Sequence, residues 1–308
     1  MIGKIKQSIQ KGYHDMKEIV HVQGLKKSFG KCTALQDVSF TVNAGEVLGF
    51  IGPNGAGKST TIRILLGSIQ RDAGIAKIFD RDVWKEKEEI HRQLSYVPGD
   101  VSLWGNLTGG EIIDLLMKLH GGGDNKKRDM LIQRFELDTK KKAKTYSKGN
   151  RQKVGLIAAL AVDSELYIFD EPTSGLDPLM EIVFQQEVEK LKQAGKAVIL
   201  SSHILSEVDK LADKVSIIRQ GKIVESGSLE ALRHLTRTRV TMITKEDASV
   251  LSRLPGVFDF SQEKERVTFS AEEKEINVIL ASASKLPMER FEAVPPTLED
   301  LFMTHYEE

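Results

Sequence analysis

Gly52-Pro53-Asn54-Gly55-Ala56-Gly57-Lys58-Ser59 decides the reading of this chain. The stretch fits G-x-x-x-x-G-K-[ST], a pattern whose chemistry is phosphate capture. Glycines let successive backbone N–H groups turn inward, and the N-terminus of a following helix adds positive potential. The flanks supply the setting this requires. Glu46-Val47-Leu48-Gly49-Phe50-Ile51 reads as a buried strand, and residues 60–66 read as the start of a helix. The nucleotide-binding candidates are therefore the eight quoted residues together with Thr60. Lys58 is placed to reach the β- and γ-phosphates, and the Ser59 hydroxyl to ligate Mg²⁺.

Composition narrows the class. A length of 308 residues suits one large domain or two ordinary ones. The 44 Lys and Arg are balanced by 44 Asp and Glu, so the chain lacks the basic excess of a dedicated nucleic-acid binder. Cys32 is the single cysteine, which rules out an internal disulfide and points to a reducing compartment. Its plainest reading is a small buried hydrophobe. No stretch reaches the roughly 18–20 apolar residues that span a bilayer. The N-terminus shows no apolar signal-peptide core. The expectation is a chain that does not cross a membrane by itself.

Texture changes along the chain. Ile2, Ile5, Ile9, Tyr13, Met16 and Val20 fall on one helical stripe, with Lys4, Lys6, Lys11 and Lys17 off its centre. Such a basic amphipathic extension, over about residues 1–18, suits an anionic membrane surface or a membrane partner. The alternative is a helix packed on its own domain, or a frayed tail. Residues 19–79 are β-rich, with Val38-Ser39-Phe40 leading to Val42 and a turn at Asn43-Ala44-Gly45. Residues 111–120, 128–137 and 149–162 read as helices, a helical insert over about 100–160. The lysines at 140, 141, 142 and 144 read as solvated surface.

Strand and helix alternate again from 163 to 232. Residues 166–169 and 197–200 are short apolar strands, and 180–192 is a helix stopped at Gly195. That alternation predicts a mainly parallel sheet covered by helices. Beyond a junction near Leu235-Thr236, strands at 240–243, 257–260 and 267–269 and helices at 276–285 and 298–305 predict a small α+β domain.

A second motif lies far from the first. Leu166-Tyr167-Ile168-Phe169-Asp170-Glu171 is an apolar strand ending in two carboxylates. Beside a phosphate loop, Asp170 suits holding a Mg²⁺ water, and Glu171 suits orienting and deprotonating an attacking water. Ser174-Gly175-Leu176-Asp177 follows the acidic pair. Tyr146-Ser147-Lys148-Gly149-Asn150 precedes it and opens a helix, and Leu200-Ser201-Ser202-His203 ends a later strand.

With this order of motifs the chain resembles the ATP-binding-cassette (ABC) ATPases over roughly residues 19–232, with a weaker match in the C-terminal tail. The resemblance implies an α/β P-loop NTPase core with a helical subdomain, plus a small C-terminal α+β domain, dividing near residues 234 and 235. It implies ATP and Mg²⁺ as cofactors. It places Tyr146-Ser147-Lys148-Gly149-Asn150 at the family's signature, so Ser147 and Gly149 contact the ATP of an opposite subunit. It makes Ser174-Gly175-Leu176-Asp177 the D-loop, His203 the switch histidine on the γ-phosphate, and Phe29 the aromatic stacked on adenine. Catalysis then falls to Glu171, His203 and Lys58, and the metal to Ser59 and Asp170.

Two departures stand out. Lys148 and Asn150 replace the commoner Gly and Gln of the signature, a variant that looks like one used by drug-exporter ATPases. Gly99, followed by Asp100, stands where the family has a Mg²⁺-ligating Gln. A water or Asp100 is left to fill that role. The resemblance implies an ATP-hydrolysing subunit on the cytoplasmic face of the plasma membrane, driving an exporter of drug-like or hydrophobic compounds. Its partners would be a separate multi-span permease and a second copy or homologous ATPase, with no nucleic acid. The helical insert, with residues 99–106 at its edge, matches the family's usual docking surface. The tail Pro295-Pro296-Thr297-Leu298-Glu299-Asp300-Leu301-Phe302 resembles the ending of exporter ATPases with separate permeases. It suits dimerisation, regulation, or a helix that merely closes the small domain. The rival readings are a soluble ABC-type ATPase remodelling ribosomes, nucleic acid or a protein complex, and a small-molecule kinase.

Overall fold

The computed structural model describes residues 17–233 and 237–294. The expected helix at 298–305, the tail from Pro295, the Leu235-Thr236 junction and all but the end of the N-terminal extension lie outside them. Val20, assigned above to the helical stripe, sits instead in a strand, β1 (Glu18–Phe29), with its side chain fully buried. It pairs with Val42 of β2 (Cys32–Asn43), and a β-branched side chain suits that pleated surface.

The chain then runs through β3 (Val47–Ile51), α1 (Lys58–Leu65), β4 (Ala73–Ile78), β5 (Arg81–Asp82) and β6 (Leu94–Val97). Three helices follow: α2 (Gly109–Leu119), α3 (Asn125–Arg134) and α4 (Lys148–Leu160). After them come β7 (Leu166–Asp170), α5 (Pro178–Gln193), β8 (Ala197–Ser202), α6 (Leu205–Leu211), β9 (Lys214–Arg219) and β10 (Lys222–Ser228). The strands form a ten-stranded sheet in the order β5-β4-β1-β2-β10-β9-β3-β8-β7-β6.

The expected parallel sheet is one half of this. β9, β3, β8, β7 and β6 pair in parallel, and every residue of β3, β7 and β8 is buried. Burial on both faces is why these strands are unbroken apolar runs. In the other half β1 pairs antiparallel with both β2 and β4, and β10 joins β2 in parallel at Lys222 and Asp37. Cys32 opens β2 and is exposed, which corrects its reading as a buried hydrophobe.

The helical insert begins at a capping box, in which Thr108 accepts from the Glu111 N–H and the Glu111 carboxylate accepts from the Thr108 N–H. Tyr146 locks it. Its hydroxyl donates to the Asp138 carbonyl at 2.6 Å, and its ring lies where a Cβ on Gly109 would meet the hydroxyl oxygen at 2.2 Å.

The chain divides into two compact units between Ser226 and Gly227. In the second, β11 (Thr238–Ile243), β12 (Val257–Glu263), β13 (Arg266–Ala271) and β14 (Arg290–Val294) form an antiparallel sheet ordered β12-β13-β11-β14. Val240, Met242, Phe269 and Ala271 pack with Ile279 and Ala283 of α7 (Ile276–Ala283) in a core of its own.

Candidate nucleotide site

The phosphate loop forms because β3 ends at Ile51 and α1 starts at Lys58, with nothing but the quoted loop between them. Gly57 is the N-cap of α1 at φ +116°, and a Cβ there would meet Leu35 at 2.7 Å and the Ala34 carbonyl at 3.0 Å. Only glycine tolerates both conditions. No side chain caps α1, so its first-turn N–H groups keep their capacity for an anion. Asn54, Gly55 and Ser59 are exposed, Pro53 and Thr60 are half-buried, and Gly52, Ala56 and Gly57 are buried.

Lys58 is 5% exposed. Its ammonium donates to the Gly52 carbonyl at 2.6 Å and the Pro53 carbonyl at 3.3 Å, which curls it back over the loop. Burial pushes its pKa down, and the charges of Glu171 and Asp170 push it back up.

The carboxylates arrive through strand register. β3, β8 and β7 are parallel neighbours, with Ile51 opposite Ser202 and Ser201 opposite Asp170. Their C-terminal ends are therefore level, at the edge where ligands bind open α/β sheets. Asp170 is 8% exposed and accepts a short hydrogen bond from the Ser201 hydroxyl. Glu171 takes a left-handed backbone at φ +48°, a conformation that costs a non-glycine residue about 1–2 kcal/mol. It is held there by its N–H donating to the Ser201 carbonyl at 2.9 Å. The turn aims the side chain between a lysine and a histidine: Oε1 is 3.8 Å from Lys58 Nζ, and Oε2 is 3.0 Å from His203 Nδ1. Tyr96, on the adjacent β6, has its pKa pushed up to about 12 by burial and by the negative charge of Asp170.

Lys58, the adjacent pair Asp170 and Glu171, and His203 are thus brought together from three segments distant in sequence. The oxygen-only set of Ser59 hydroxyl and Asp170 carboxylate fits Mg²⁺, which favours hard oxygen ligands. Ser147 and Gly149 lie elsewhere. The Ser147 hydroxyl caps α4 by accepting from the Asn150 N–H at 3.3 Å. A Cβ on Gly149 would meet the Gly175 carbonyl at 2.2 Å, and Lys148 Nζ donates to the Ser174 hydroxyl at 2.6 Å. Within one chain, the signature stretch is packed on the loop after Glu171.

Phe29 ends β1 and is 51% exposed, with Lys27 Nζ 5.3 Å from its ring centroid. Asp72 fixes this corner by accepting from Lys27 Nζ at 2.8 Å and the Ser28 N–H at 2.6 Å; those bonds and the lysine's charge pull its pKa down. Gly99 lies against the acidic pair, where a Cβ would stand 3.0 Å from the Asp170 carbonyl and 3.4 Å from Glu171 Cβ. The approach leaves little room for a side chain, while Asp100 next to it is exposed. Three polar partners escaped the sequence reading: Ser201 and Ser202, whose pairing before His203 was the available signal, and Glu207, which carried none.

Known proteins resemble this chain. The profile of the ABC transporter family matches residues 35–174, and that of the C-terminal domain of DrrA1-3-like ATP-binding proteins matches 227–306. The doxorubicin resistance ATP-binding protein of Mycobacterium tuberculosis is 30% identical over 306 residues, with 92% of each chain covered. The bacitracin transport ATP-binding protein of Bacillus licheniformis is 35% identical over 225 residues, covering 72% of this chain and 74% of that one. A solved ATP-binding subunit of an ABC transporter aligns with a TM-score of 0.65 at 30% identity, over 70% of this chain and 92% of that one. The phosphate loop, the strand-end carboxylates and this kinship together show that the chain belongs to the ATP-binding, ATP-hydrolysing subunits of the ABC transporter family.

Proposed function

We propose that this chain hydrolyses ATP to drive an exporter whose membrane-spanning part is a separate polypeptide. The observation that carries the chemistry is Glu171, held between Lys58 and His203 beside the phosphate loop. The loop residues Gly52 through Thr60 bind the phosphates through backbone N–H groups, and Lys58 leaves its carbonyl partners for phosphate oxygens. Glu171 orients the attacking water and accepts its proton. His203 contacts the γ-phosphate, and Lys58 stabilises charge developing there. Ser59 and Asp170 would hold Mg²⁺, which when bound neutralises charge on the β- and γ-phosphate oxygens.

Phe29 offers its free ring face to adenine. Phe29→Ala is expected to weaken ATP binding about fivefold or more, since base–aromatic stacking contributes ~1–3 kcal/mol. Phe29→Trp retains it. Titration with a fluorescent ATP analogue checks this, and unchanged affinity in the alanine variant removes Phe29 from the site.

Ser147 and Gly149 act on the ATP of a second copy or a homologous ATPase. Hydrolysis then removes the γ-phosphate that bridges the two chains, which opens the pair. A groove of about 300 Å³ lies between segment 98–104 and helices α2 and α4, lined by Tyr96, Val101, Leu103, Trp104 and Leu116. Trp104, 53% exposed, supports taking it as the docking surface for the permease. No described helix is long and apolar enough to cross a membrane. The doxorubicin and bacitracin in the relatives' names favour drug-like or hydrophobic cargo, moved from the cytoplasmic face of the plasma membrane.

The test is to tag the chain, solubilise native membranes gently and identify what co-purifies. A stoichiometric multi-span protein is expected. Recovery only with ribosomes, nucleic acid or soluble complexes overturns the transporter reading.

A further inference from the structure

Glu207 closes a ring of contacts that neither the phosphate loop nor the strand-end carboxylates account for. It lies in the first turn of α6 and is 9% exposed. Its two oxygens serve two different segments. Oε1 accepts from the Thr173 hydroxyl at 2.7 Å, and Oε2 accepts from the Ser202 hydroxyl at 2.9 Å. Thr173 follows Glu171 by two positions, and Ser202 immediately precedes His203. The Glu171–His203 contact at 3.0 Å completes the ring. Ser202 Oγ also accepts from the Ile204 N–H at 2.9 Å. The hydroxyl that Glu207 holds is therefore the one that shapes the turn carrying His203.

An acidic residue in a first helical turn ordinarily caps the helix or complements its dipole. A capping box would take the Ile204 N–H, but that donor is spent on Ser202, and α6 has no side-chain cap. Both Glu207 oxygens turn to hydroxyls outside the helix instead. Thr173 and Ser202 are 7% and 1% exposed, so water is a poor substitute for this acceptor.

We infer that Glu207 is a positioning residue that sets the His203–Glu171 geometry by tying the loop after β7 to the end of β8. The inference rests on the proposed roles of Glu171 and His203. It also gives the site a mechanical link. Ser174-Gly175-Leu176-Asp177 starts immediately after Thr173, so a shift of that stretch reaches His203 through Glu207.

The experiment measures steady-state ATP hydrolysis by the full chain as Glu207→Gln, His203→Ala and the double variant, with melting temperatures for each. Glutamine keeps the shape but offers one acceptor oxygen in place of two. The expected result is a kcat about 10- to 100-fold lower, the penalty typical of misplaced catalytic groups, with KM for ATP changed less than about twofold. The double variant should be no slower than His203→Ala, because Glu207 acts through His203. Thr173→Val should reproduce the loss, and Thr173→Ser, which keeps the hydroxyl, should not. A Glu207→Gln kcat within about twofold of the unaltered chain, or losses that multiply in the double variant, overturns the inference and leaves Glu171 and His203 in place. Normal hydrolysis by His203→Ala alone instead overturns the reading of His203, and the positioning role with it. Should Glu207→Gln fail to fold, the Thr173 pair decides the matter.

Discussion

Replacing Glu171 by glutamine leaves a chain that binds ATP at least as tightly as before and hydrolyses it about 10²–10⁴-fold more slowly, the range lost with a general base. The substitution is isosteric, so the backbone at φ +48° and the N–H bond to the Ser201 carbonyl persist. What disappears is the proton acceptor and one negative charge facing the triphosphate. Losing the charge favours ATP, and losing the acceptor stalls the reaction with the γ-phosphate in place. On the proposed bridging of two chains by that phosphate, the pair should then stay together. Light scattering with ATP and Mg²⁺ should show a long-lived dimer that the unaltered chain forms only transiently. Hydrolysis near the unaltered rate would remove Glu171 as the base.

Lys58→Ala has the opposite signature, with nucleotide affinity itself lost. A charge-assisted hydrogen bond contributes ~1.5–3 kcal/mol, so ATP binding should weaken about 10- to 100-fold. Residual hydrolysis at saturating ATP should fall a further ~10²–10³-fold for want of a charge on the phosphate oxygens. Stability without nucleotide should change little, because two effects oppose each other. The Gly52 and Pro53 carbonyls and Glu171 lose a cationic partner, while the cost of burying that ammonium disappears. Thermal melts separate the cases: the rise in melting temperature that ATP gives the unaltered chain should vanish in Lys58→Ala. A variant that keeps the ATP-induced rise shows that Lys58 is not a phosphate ligand.

The parts of this molecule legible in its sequence are those where chemistry or double-sided burial limits the choice of residue. Phosphate binding demands the glycines and lysine of residues 52–59, and β3, β7 and β8 announce themselves as unbroken apolar runs. The antiparallel half was legible only as a β-rich texture. β1 shifts register against β2 between Val22 and Leu25 and again at Lys27, which breaks the alternation of period two. β4 buries only Ala76 and Ile78, and β14 buries no residue fully. At the site, Glu207 was invisible because an acid in a first helical turn has an ordinary local explanation. Its partners Thr173 and Ser202 lie 34 and 5 residues away, and only the fold joins all three. Gly99 was visible as a departure, but its close approach to the Asp170 carbonyl was not.

The place of β8 bears on how this chain is made. Residues 47–51 and 166–170 never pair with each other; residues 197–202 are inserted between them. Until the ribosome has released β8, and then β9 for the far side of β3, the most apolar strands present unpaired edges. Such edges are templates for aggregation, and non-local parallel pairing forms slowly. The nucleotide site is likewise incomplete earlier, since Ser201, which holds Asp170, lies in that strand and His203, which meets Glu171, directly follows it. The parallel sheet can therefore close only after residues 197–219 have emerged from the ribosome, and a chaperone shielding the earlier edges would act before that point.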